Sequence, residues 1–402
     1  MTAVRNTASA AVGLDRTLVL LMAAATGFAI ANIYYAQPVL PLIGHDLGGA
    51  GSVNFIPTAT QIGYSGGIIL LVPVGDRVDR RRLILAQCVG LTLALLSFAM
   101  ATSAVLAIAA SVAIGLFATI AQQIVPFAAQ LSAPETRGRT VGTVMSGLLV
   151  GILSARTLSG VVAEWAGWRS VFWLGASLAL AMAAMLYPRL PHSAPSTQTP
   201  YGQLIASLGR IVLDEPELRR AAMTQGLLFA GFSAFWTILA PLLAGAPYHL
   251  GSEAAGLFGL LAVGSVAVAP LAGRLADRRG PRSVVRVGTV VVLAAFLLML
   301  LDSHLATLAI GVVVMDVGVQ VAMIGNQATI YALAGTAPGR FNTIYIAIMF
   351  ALGAVGSASA SAAWSAAGWR AVMMVAAAAA ACAVILQIVP SRRSALSQGV
   401  AL

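Results

Sequence analysis

Three short landmarks recur along this chain, and all three recur at the same spacing of 201 residues, half of the chain length of 402. The pairs are Asp76-Arg77 with Asp277-Arg278, Gly138-Arg139 with Gly339-Arg340, and Gly167-Trp168-Arg169 with Gly368-Trp369-Arg370. Three separate landmarks with one offset indicate an internal duplication that covers the whole chain. Long apolar runs lie between the landmarks, so the repeated unit is predicted to be a bundle of membrane spans.

Composition supports a lipid environment. Hydrophobic residues make up 59% of the chain and charged residues only 9%, whereas a soluble domain carries roughly a quarter charged residues. The net charge of +10 does not indicate a nucleic-acid partner, because all 23 basic residues are Arg and they cluster in short breaks between apolar runs, as loops on one membrane face do. Cys88 and Cys382 each sit inside an apolar run, so neither is expected to form a disulfide or to bind a metal, and no cofactor is expected.

The apolar runs predict twelve transmembrane helices, because a span needs about 20 mostly apolar residues. The runs are 17–41, 53–74, 83–103, 105–131, 140–163, 168–188, 221–244, 254–275, 283–302, 304–333, 341–363 and 368–389. Six spans in each half is an even number, so both halves enter the membrane in the same direction as parallel repeats. The expected fold is an all-α membrane protein with two six-helix bundles, 1–188 and 221–402, joined by a Pro-rich cytoplasmic linker at 189–220 that carries a short surface helix.

Arginine placement predicts the orientation. If the N-terminus is cytoplasmic, 20 of the 23 arginines fall on the inner side, two fall in outer loops and one, Arg156, lies within a span. This bias predicts that both termini are cytoplasmic.

The loop between the second and third spans of each half resembles a motif of the major facilitator superfamily of secondary transporters, Gly-x-Leu-Ala-Asp-Arg-x-Gly-Arg-Arg. The second copy matches at Gly273, Leu275, Ala276, Asp277, Arg278, Gly280 and Arg282. The first copy keeps Asp76, Arg77, Arg80 and Arg81, but has Val72 and Asp79 where the family has Gly. The resemblance covers nearly the whole chain and implies transport by alternating access.

A finer resemblance is to the bacterial drug:proton antiporter branch that includes sugar and nucleoside efflux permeases. It is carried by Asn-Ile-Tyr-Tyr-Ala-Gln-Pro at 32–38, Gly-Ile-Leu-Ser-Ala-Arg at 151–156, Asp-Val-Gly-Val-Gln at 316–320, and Asn326-Gln327. The fifth-span antiporter motif usually reads Gly-Pro-x-x-Gly-Gly, but here Arg156 takes the place of the Pro. The resemblance implies a bacterial inner-membrane protein, with a small organic substrate, protons and lipid as its partners. We expect it to be a monomer.

The loop motif is expected to act as a gating latch. Bidentate Arg–carboxylate pairs can tie neighbouring helices together at the cytoplasmic face, and such ties must break when that side opens. The expected latch residues are Asp76, Arg77, Arg80, Arg81, Arg139, Asp277, Arg278, Arg282 and Arg340. The alternative is that these arginines only set topology, although topology alone does not need the two acids.

Two charged residues lie deep within spans, Asp316 and Arg156. A charge at mid-membrane costs at least about 2.5–3.5 kcal/mol, so such residues usually face the bundle interior, where they pair or do chemistry. Asp316 is the expected proton-coupling site. Arg156 is its expected partner, or a site for a substrate anion, and a permanently ion-paired structural Asp316 is the competing interpretation.

In the family that this chain resembles, the first, fourth, seventh and tenth spans line the central transport path. Helical spacing puts polar and aromatic residues of these spans on common stripes. The expected substrate-binding residues are Asn32, Tyr35, Gln123, Phe232, Trp236, Gln320 and Gln327. Amides and aromatic rings suit a neutral or weakly charged organic molecule, although amides can also serve only to bind helices together.

One enzyme signal competes with this interpretation. Gly63-Tyr-Ser65-Gly-Gly67 fits the Gly-x-Ser-x-Gly nucleophile pattern. A serine nucleophile needs a nearby His, yet all four histidines lie in loops or at span ends. We therefore expect a transporter and not an enzyme, for proton-driven efflux of drug-, sugar- or nucleoside-like molecules. Uptake by proton symport or by facilitated diffusion is the alternative.

Overall fold

The computed structural model describes residues 15–48, 50–335 and 338–389, and within these ranges every regular element is a helix. The α-helices are α1 Arg16–Ala31, α2 Leu40–Leu47, α3 Ala50–Val53, α4 Ile56–Leu71, α5 Arg80–Ala99, α6 Ala104–Phe117, α7 Ile120–Leu131, α8 Arg137–Ala166, α9 Trp168–Leu186, α10 Tyr201–Asp214, α11 Pro216–Ala244, α12 Ser252–Leu261, α13 Val263–Arg279, α14 Pro281–Leu301, α15 Leu305–Leu333 and α16 Pro338–Ile388. Short 3₁₀ turns, Gln37–Val39 and Pro73–Asp76, follow α1 and α4.

The predicted twelve-span fold is confirmed. In the described part of the chain, nine helical segments are long and apolar enough to cross a membrane. The 51-residue α16 supplies two of the twelve spans, because its backbone leaves the helical region at Ala367 and Gly368. The remaining two spans are each made of two shorter helices: α1 continues into α2, and α12 continues into α13.

The repeated Gly-Trp-Arg landmark makes the same turn in both halves. Gly167 has φ 80° and Gly368 has φ 66°, a left-handed region that glycine enters without steric penalty. Each glycine joins two consecutive spans through a very short connection. The following tryptophan then fixes the turn: the Trp168 indole donates to Asp46 at 3.1 Å, and the Trp369 indole donates to the Met299 carbonyl at 2.9 Å.

The first span is broken where proline requires it. Helix α1 ends at Ala31, five residues of turn follow, and Pro38 lies inside the 3₁₀ turn that leads into α2. Proline has no N–H to donate and disfavours a helical residue before it. Side chains after Ala31 therefore do not continue the 3.6-residue stripe of α1.

Small residues bring the helices of each half into backbone contact. A Cβ added at Gly151 of α8 would lie 2.0 Å from the Gly27 carbonyl oxygen of α1, and one added at Gly63 of α4 would lie 2.0 Å from the Val112 carbonyl oxygen of α6. The second half repeats the first of these contacts, since a Cβ at Gly356 of α16 would lie 2.1 Å from the Ala230 carbonyl oxygen of α11. Close packing through small residues is the usual way in which helices associate in lipid.

The two halves contact each other through α8 with α12 and through α4 with α16. The Thr157 hydroxyl donates to the Gly256 carbonyl at 3.0 Å, and the Thr58 hydroxyl donates to Ser357 at 2.9 Å. The Ser361 hydroxyl also donates to the Asn54 carbonyl at 2.9 Å. Helix α8 begins at Arg137 and α4 ends near Arg77, whereas Thr157 and Thr58 lie near the opposite ends of these two helices. These contacts are therefore at the end of the bundle that is remote from the Arg-rich loops.

Candidate functional site

Arg156 lies on α8 at the junction between the halves. Its side chain is 2% exposed, and a Cβ added at Gly259 of α12 would lie 3.1 Å from the Arg156 Cβ. Nε donates to Oε1 of Gln37 at 2.8 Å, while the buried Nη2 atom has no hydrogen-bond partner. The arginine at this position of α8 therefore places a guanidinium in the interior of the molecule.

Aromatic rings surround this guanidinium. Its carbon lies 4.0 Å from the ring centroid of Trp236, 4.4 Å from that of Tyr34 and 5.7 Å from that of Phe232. The face of an aromatic ring attracts a cation, the more so when water is excluded. The rings thus hold the cation in place without neutralising its charge.

Asp316 is the acidic residue that interacts with Arg156, but no hydrogen bond joins the two side chains. Asp316 is 6% exposed, and its Oδ2 atom is buried without a hydrogen-bond partner. The two groups interact electrostatically, and Asp316 also acts on Tyr34. The two intramembrane charges that the sequence singled out are thus both buried and near enough to interact electrostatically, and Nη2 of one and Oδ2 of the other are unsatisfied.

Asn32 and Gln123, two of the residues expected to bind substrate, make hydrogen bonds within their own half. Asn32 donates to the Phe28 carbonyl at 2.7 Å, and its Oδ1 lies 3.4 Å from a Cβ added at Gly175 of α9. Gln123 donates to the Leu71 carbonyl at the end of α4 at 2.8 Å. The Gln123 bond joins two helices, which is the alternative that the sequence left open, whereas the Asn32 bond stays within its own segment.

The other expected residues are placed differently. Phe232 and Trp236 lie against Arg156, and Phe232 is half-buried. Gln320 and Gln327 are also half-buried on α15, the helix of Asp316, and Tyr35 is buried.

Sequence reasoning missed Tyr34 and Gln37, which both contact Arg156 directly. The stripe drawn through Asn32 and Tyr35 assumed an unbroken helix, whereas these residues lie in the turn after α1. Pro38 was the available signal, because a proline predicts a helix boundary a few residues before it.

A row of aromatic rings leads away from Arg156 along the seam between the halves. Trp236 and Phe232 have ring centroids 6.1 Å apart, Phe232 and Phe229 5.3 Å, and Phe229 and Phe350 4.9 Å. The row ends with Tyr64 of α4, which is 4.4 Å from Phe350. Its members come from both halves, so the row would be rearranged by any movement of one half against the other.

The first copy of the loop motif is tied to the linker between the halves. Asp76 pairs with Arg80 at 2.9 Å, one turn away, and the Asp76 carbonyl accepts from the amides of Ser196 and Thr197 at 2.9 and 3.1 Å. Arg81 donates to the Tyr187 carbonyl at 2.6 Å. The loop therefore anchors the linker.

Asp79, where the family has Gly, is the centre of this anchoring. Its carboxylate caps α5 by accepting from the Arg81 amide at 3.0 Å, accepts from the Ser193 amide at 3.1 Å and lies 2.6 Å from Nδ1 of His192. Burial raises the pKa of Asp79, but the hydrogen bonds from His192, Ser193 and Arg81 together outweigh burial and hold that pKa below its usual value of 3.8. This residue was recognised in the sequence as a departure, but its role was not.

The second copy of the loop is built differently. Gly280 stands at the position of Asp79 and has φ 81°, so the chain turns here without a side-chain cap. Asp277 and Arg278 are exposed, as are Arg77, Arg139 and Arg340 of the expected latch. Arg282 pairs with Glu217 at the start of α11 at 2.8 Å. The two copies of one motif thus make different contacts.

The Gly-x-Ser-x-Gly pattern of α4 is a packing surface. Gly63 and Gly67 lie against the backbone of α6, and the Ser65 hydroxyl donates to the Ala347 carbonyl of α16 at 2.9 Å. Ser65 therefore links the two halves within a helix and does not stand on a strand-to-helix elbow.

Twelve helical spans, a repeat-related pairing of helices and two buried opposite charges at the junction of the halves define a polytopic membrane transporter. The family model described as Major Facilitator Superfamily matches residues 22–251 and 221–399. The chain belongs to this superfamily, whose members are transporters and not enzymes.

Individual relatives agree with this assignment. The chain is 39% identical over 364 residues to the uncharacterized transporter YgaY of Escherichia coli (strain K12), which covers 90% of this chain and 92% of that protein. It is 31% identical over 188 residues to the chloramphenicol resistance protein of Streptomyces lividans, covering 46% of this chain and 47% of that protein. Among solved structures, a bacterial homolog of the human lysosomal transporter Spinster, in an inward-facing and unoccupied conformation, has a TM-score of 0.72 at 14% identity and covers 92% of this chain and 94% of its own. This last likeness concerns the fold alone.

Proposed function

We propose that the protein is a proton-coupled secondary transporter of a small organic molecule, which works by alternating access in a bacterial inner membrane. The observation that carries this proposal is Asp316, a buried carboxylate with an unsatisfied oxygen beside the buried Arg156. Acids that face the interior of a membrane bundle mark substrate and ion pathways or proton relays. Asp316 is our candidate for the group that binds and releases the coupled proton.

The transport direction has two candidates. Efflux in exchange for protons is supported by the resemblance to the drug:proton antiporter branch and by the name of the Streptomyces lividans relative, a chloramphenicol resistance protein. Uptake together with a proton is supported by Arg156, whose buried and unsatisfied Nη2 offers a substrate a positive site.

The proposed site has three parts. Asp316 binds the proton, Arg156 responds to its charge, and the half-buried residues Phe232, Gln320 and Gln327 contact the substrate. The motif arginines and acids act as the cytoplasmic latch, and in this conformation the first copy anchors the linker instead of tying the halves together. The division into bundles at 1–188 and 221–402, the cytoplasmic termini and a monomeric state belong to the same proposal.

Proteoliposomes with an imposed pH gradient test this function. Radiolabelled chloramphenicol, uridine, lactose and 4-hydroxybenzoate would each be followed with and without the gradient, with protein-free liposomes as the background. We expect the gradient to accelerate at least one of these fluxes in the wild type. The Asp316→Asn protein should lose that acceleration and keep exchange of labelled for unlabelled substrate, because exchange needs no net proton movement.

The control for folding is the elution profile and thermal midpoint of Asp316→Asn in detergent. A well-folded variant that retains full gradient-driven flux would remove Asp316 as the coupling site.

A further inference from the structure

We infer that Arg156 binds the carboxylate of an aromatic organic monoanion, and that each bound anion brings one proton onto Asp316. This inference deepens the proposed function and rests on proton coupling at Asp316. It names a substrate class, and it selects between the two transport directions.

The first argument is the unsatisfied guanidinium. A guanidinium carries five N–H donors in a planar fork that matches a carboxylate. Arg156 uses Nε on Gln37 and buries Nη2 without a partner. A buried charged donor without a hydrogen bond is unfavourable, so the site is complete only when an acceptor joins it.

The second argument is the apolar character of the remaining surroundings. Trp236 and Tyr34 lie over the guanidinium, and the half-buried Phe232 adjoins them. The crevice at Arg156 is lined by Gln37 and Trp236 together with Pro38, Leu239, Ala240 and Ala255, and it is too narrow for a water molecule in this conformation. A ligand that presents a carboxylate to Arg156 and a flat ring to the aromatic row would satisfy both features.

The third argument concerns the titratable groups that interact with Asp316. Among the described residues, the titratable groups that interact electrostatically with Asp316 are Arg156 and Tyr34. The helices packed against α15 are α11, α12, α13, α14 and α16. Their charged residues all lie within six residues of a helix end or of the break in α16: Glu217, Arg219, Arg220, Glu253, Arg274, Asp277, Arg278, Arg279, Arg282, Arg286, Arg340 and Arg370.

Proton uptake follows from this arrangement. A ligand carboxylate on Arg156 neutralises the positive charge that interacts with Asp316. Two anions beside one cation in a dry interior are strongly unfavourable, and a proton taken from water onto the Asp316 carboxylate removes the excess charge. The loaded site then holds one anion and one added proton, with no change in net charge. Anion and proton must therefore cross the membrane in the same direction, which is symport.

Anion binding is tested on the purified full-length protein in detergent. Thermal shifts would be measured with benzoate, phenylacetate, 4-hydroxybenzoate and 3-phenylpropionate, each beside its uncharged carboxamide. We expect at least one carboxylate to stabilise the wild type while its carboxamide does not. The Arg156→Gln variant should bind that carboxylate at least about tenfold more weakly, and Arg156→Lys should fall between the two because it keeps the charge but loses the fork. Equal binding of the carboxamides, full affinity in Arg156→Gln, or no response to any of the four anions would overturn the inference.

Proton uptake is tested with a pH-indicator dye in weak buffer at saturating carboxylate. The wild type should take up one proton per bound anion, whereas Asp316→Asn should bind the anion without uptake. Proton release on binding, or unchanged uptake in Asp316→Asn, would contradict the inference.

These outcomes are separable from those of the proposed function. If a pH gradient drives flux of chloramphenicol, uridine or lactose but no carboxylate binds, the transporter proposal stands and the anion site falls. If carboxylates bind through Arg156 but a pH gradient drives no flux of any probe, the anion site stands and proton-coupled transport falls.

Discussion

Arg156 shows how one side chain departs from a family pattern and acquires a new environment. The antiporter motif that this segment resembles has proline at this position, which would soften α8. Arginine lets α8 continue unbroken from Arg137 to Ala166, and it places a cation where Gln37, Tyr34 and Trp236 meet it. Its neighbours are an amide and aromatic rings, so the charge is held but remains available to an anion.

A substitution at Gln37 tests whether the Arg156 guanidinium is available to an anion. Gln37→Glu would put a carboxylate within hydrogen-bond reach of Nε, since Oε1 of Gln37 now lies 2.8 Å away. We expect this built-in acid to occupy Arg156 and to weaken carboxylate binding at least about tenfold, because a charge-assisted pair is stronger than the amide contact. Thermal-shift titration with 4-hydroxybenzoate measures the effect.

Gln37→Leu is the matched control, because it removes the amide without adding charge. It should leave carboxylate binding within a few-fold of the wild type. Unchanged binding in Gln37→Glu would mean that the fork of Arg156 is not the anion site.

At the scale of elements, helix pairing depends on glycines at particular crossing points. Helices α1 and α8 meet at Gly27, Gly147 and Gly151 with no room for a side chain, while Gly142 on the same helix has open space around it. A sequence stripe of small residues indicates that a helix can pack closely. It does not say which of the glycines touches another backbone.

Gly151→Ala should therefore destabilise the protein. The new Cβ would lie 2.0 Å from the Gly27 carbonyl oxygen, so α1 and α8 must separate, at about 1–3 kcal/mol of unfolding free energy. The thermal midpoint in detergent should fall. Gly142→Ala should leave it unchanged or slightly raised, since alanine is the better helix former; equal midpoints for the two variants would argue against the α1–α8 contact.

The linker makes a second prediction at this scale. Asp79 accepts from Ser193 and His192 and has a lowered pKa, so it stabilises linker docking while it is ionised. A carboxylate with a depressed pKa contributes fully above its ordinary pKa and loses its contribution as pH falls through the lower, folded value. Docking should persist at neutral pH and be lost only below pH 3.8, the ordinary value.

Hydrogen exchange of residues 190–199 measures docking. Asp79→Asn should raise the exchange rate of this segment at pH 7, because the charge-assisted contacts are weakened. Asp277→Asn makes the same charge change at an exposed site of the second copy and should have no effect on the segment. Equal protection in the wild type and Asp79→Asn would show that the linker docks without this carboxylate.

At the scale of the molecule, the halves are joined at the end remote from the Arg-rich loops. The Thr58 hydroxyl donates to the Ser357 hydroxyl at 2.9 Å, and the Thr237 hydroxyl lies 2.9 Å from the same Ser357 oxygen. The proposed alternating access requires one half to rock against the other, so the Thr58–Ser357 contact, which joins the halves, must open once in each cycle.

A cross-link across this seam should stop transport. Cysteines at Thr58 and Ser357, introduced into a protein in which Cys88 and Cys382 are replaced, would form a disulfide in the present conformation because their oxygens are in hydrogen-bond contact. We expect oxidation to abolish flux in proteoliposomes and reduction to restore it. Each single cysteine variant is the control, and full flux in a completely cross-linked sample would exclude the opening of this seam.

The candidate site was partly predictable from the sequence. Asp316, Arg156, Phe232 and Trp236 were identified because charge and aromatic rings inside a span are unusual whatever the local geometry. Tyr34 and Gln37 were missed because they lie beyond the end of α1, where helical spacing no longer applies. Asn32 and Gln123 were predicted to line the central path; their hydrogen bonds to the Phe28 and Leu71 carbonyls could not be predicted, because such contacts depend on where the helices break and cross.

The sequence by itself determined the all-helical class, the twelve spans and the duplication, because span length, apolar content and a repeated turn are local properties of the chain. Tertiary structure alone decided that the two copies of one loop make different contacts, and that Arg156 meets aromatic rings while an oxygen of Asp316 stays unsatisfied. Those outcomes depend on how helices that are far apart in the sequence cross and break. The free energies that set such crossings belong to pairs of helices and cannot be assigned to any one segment.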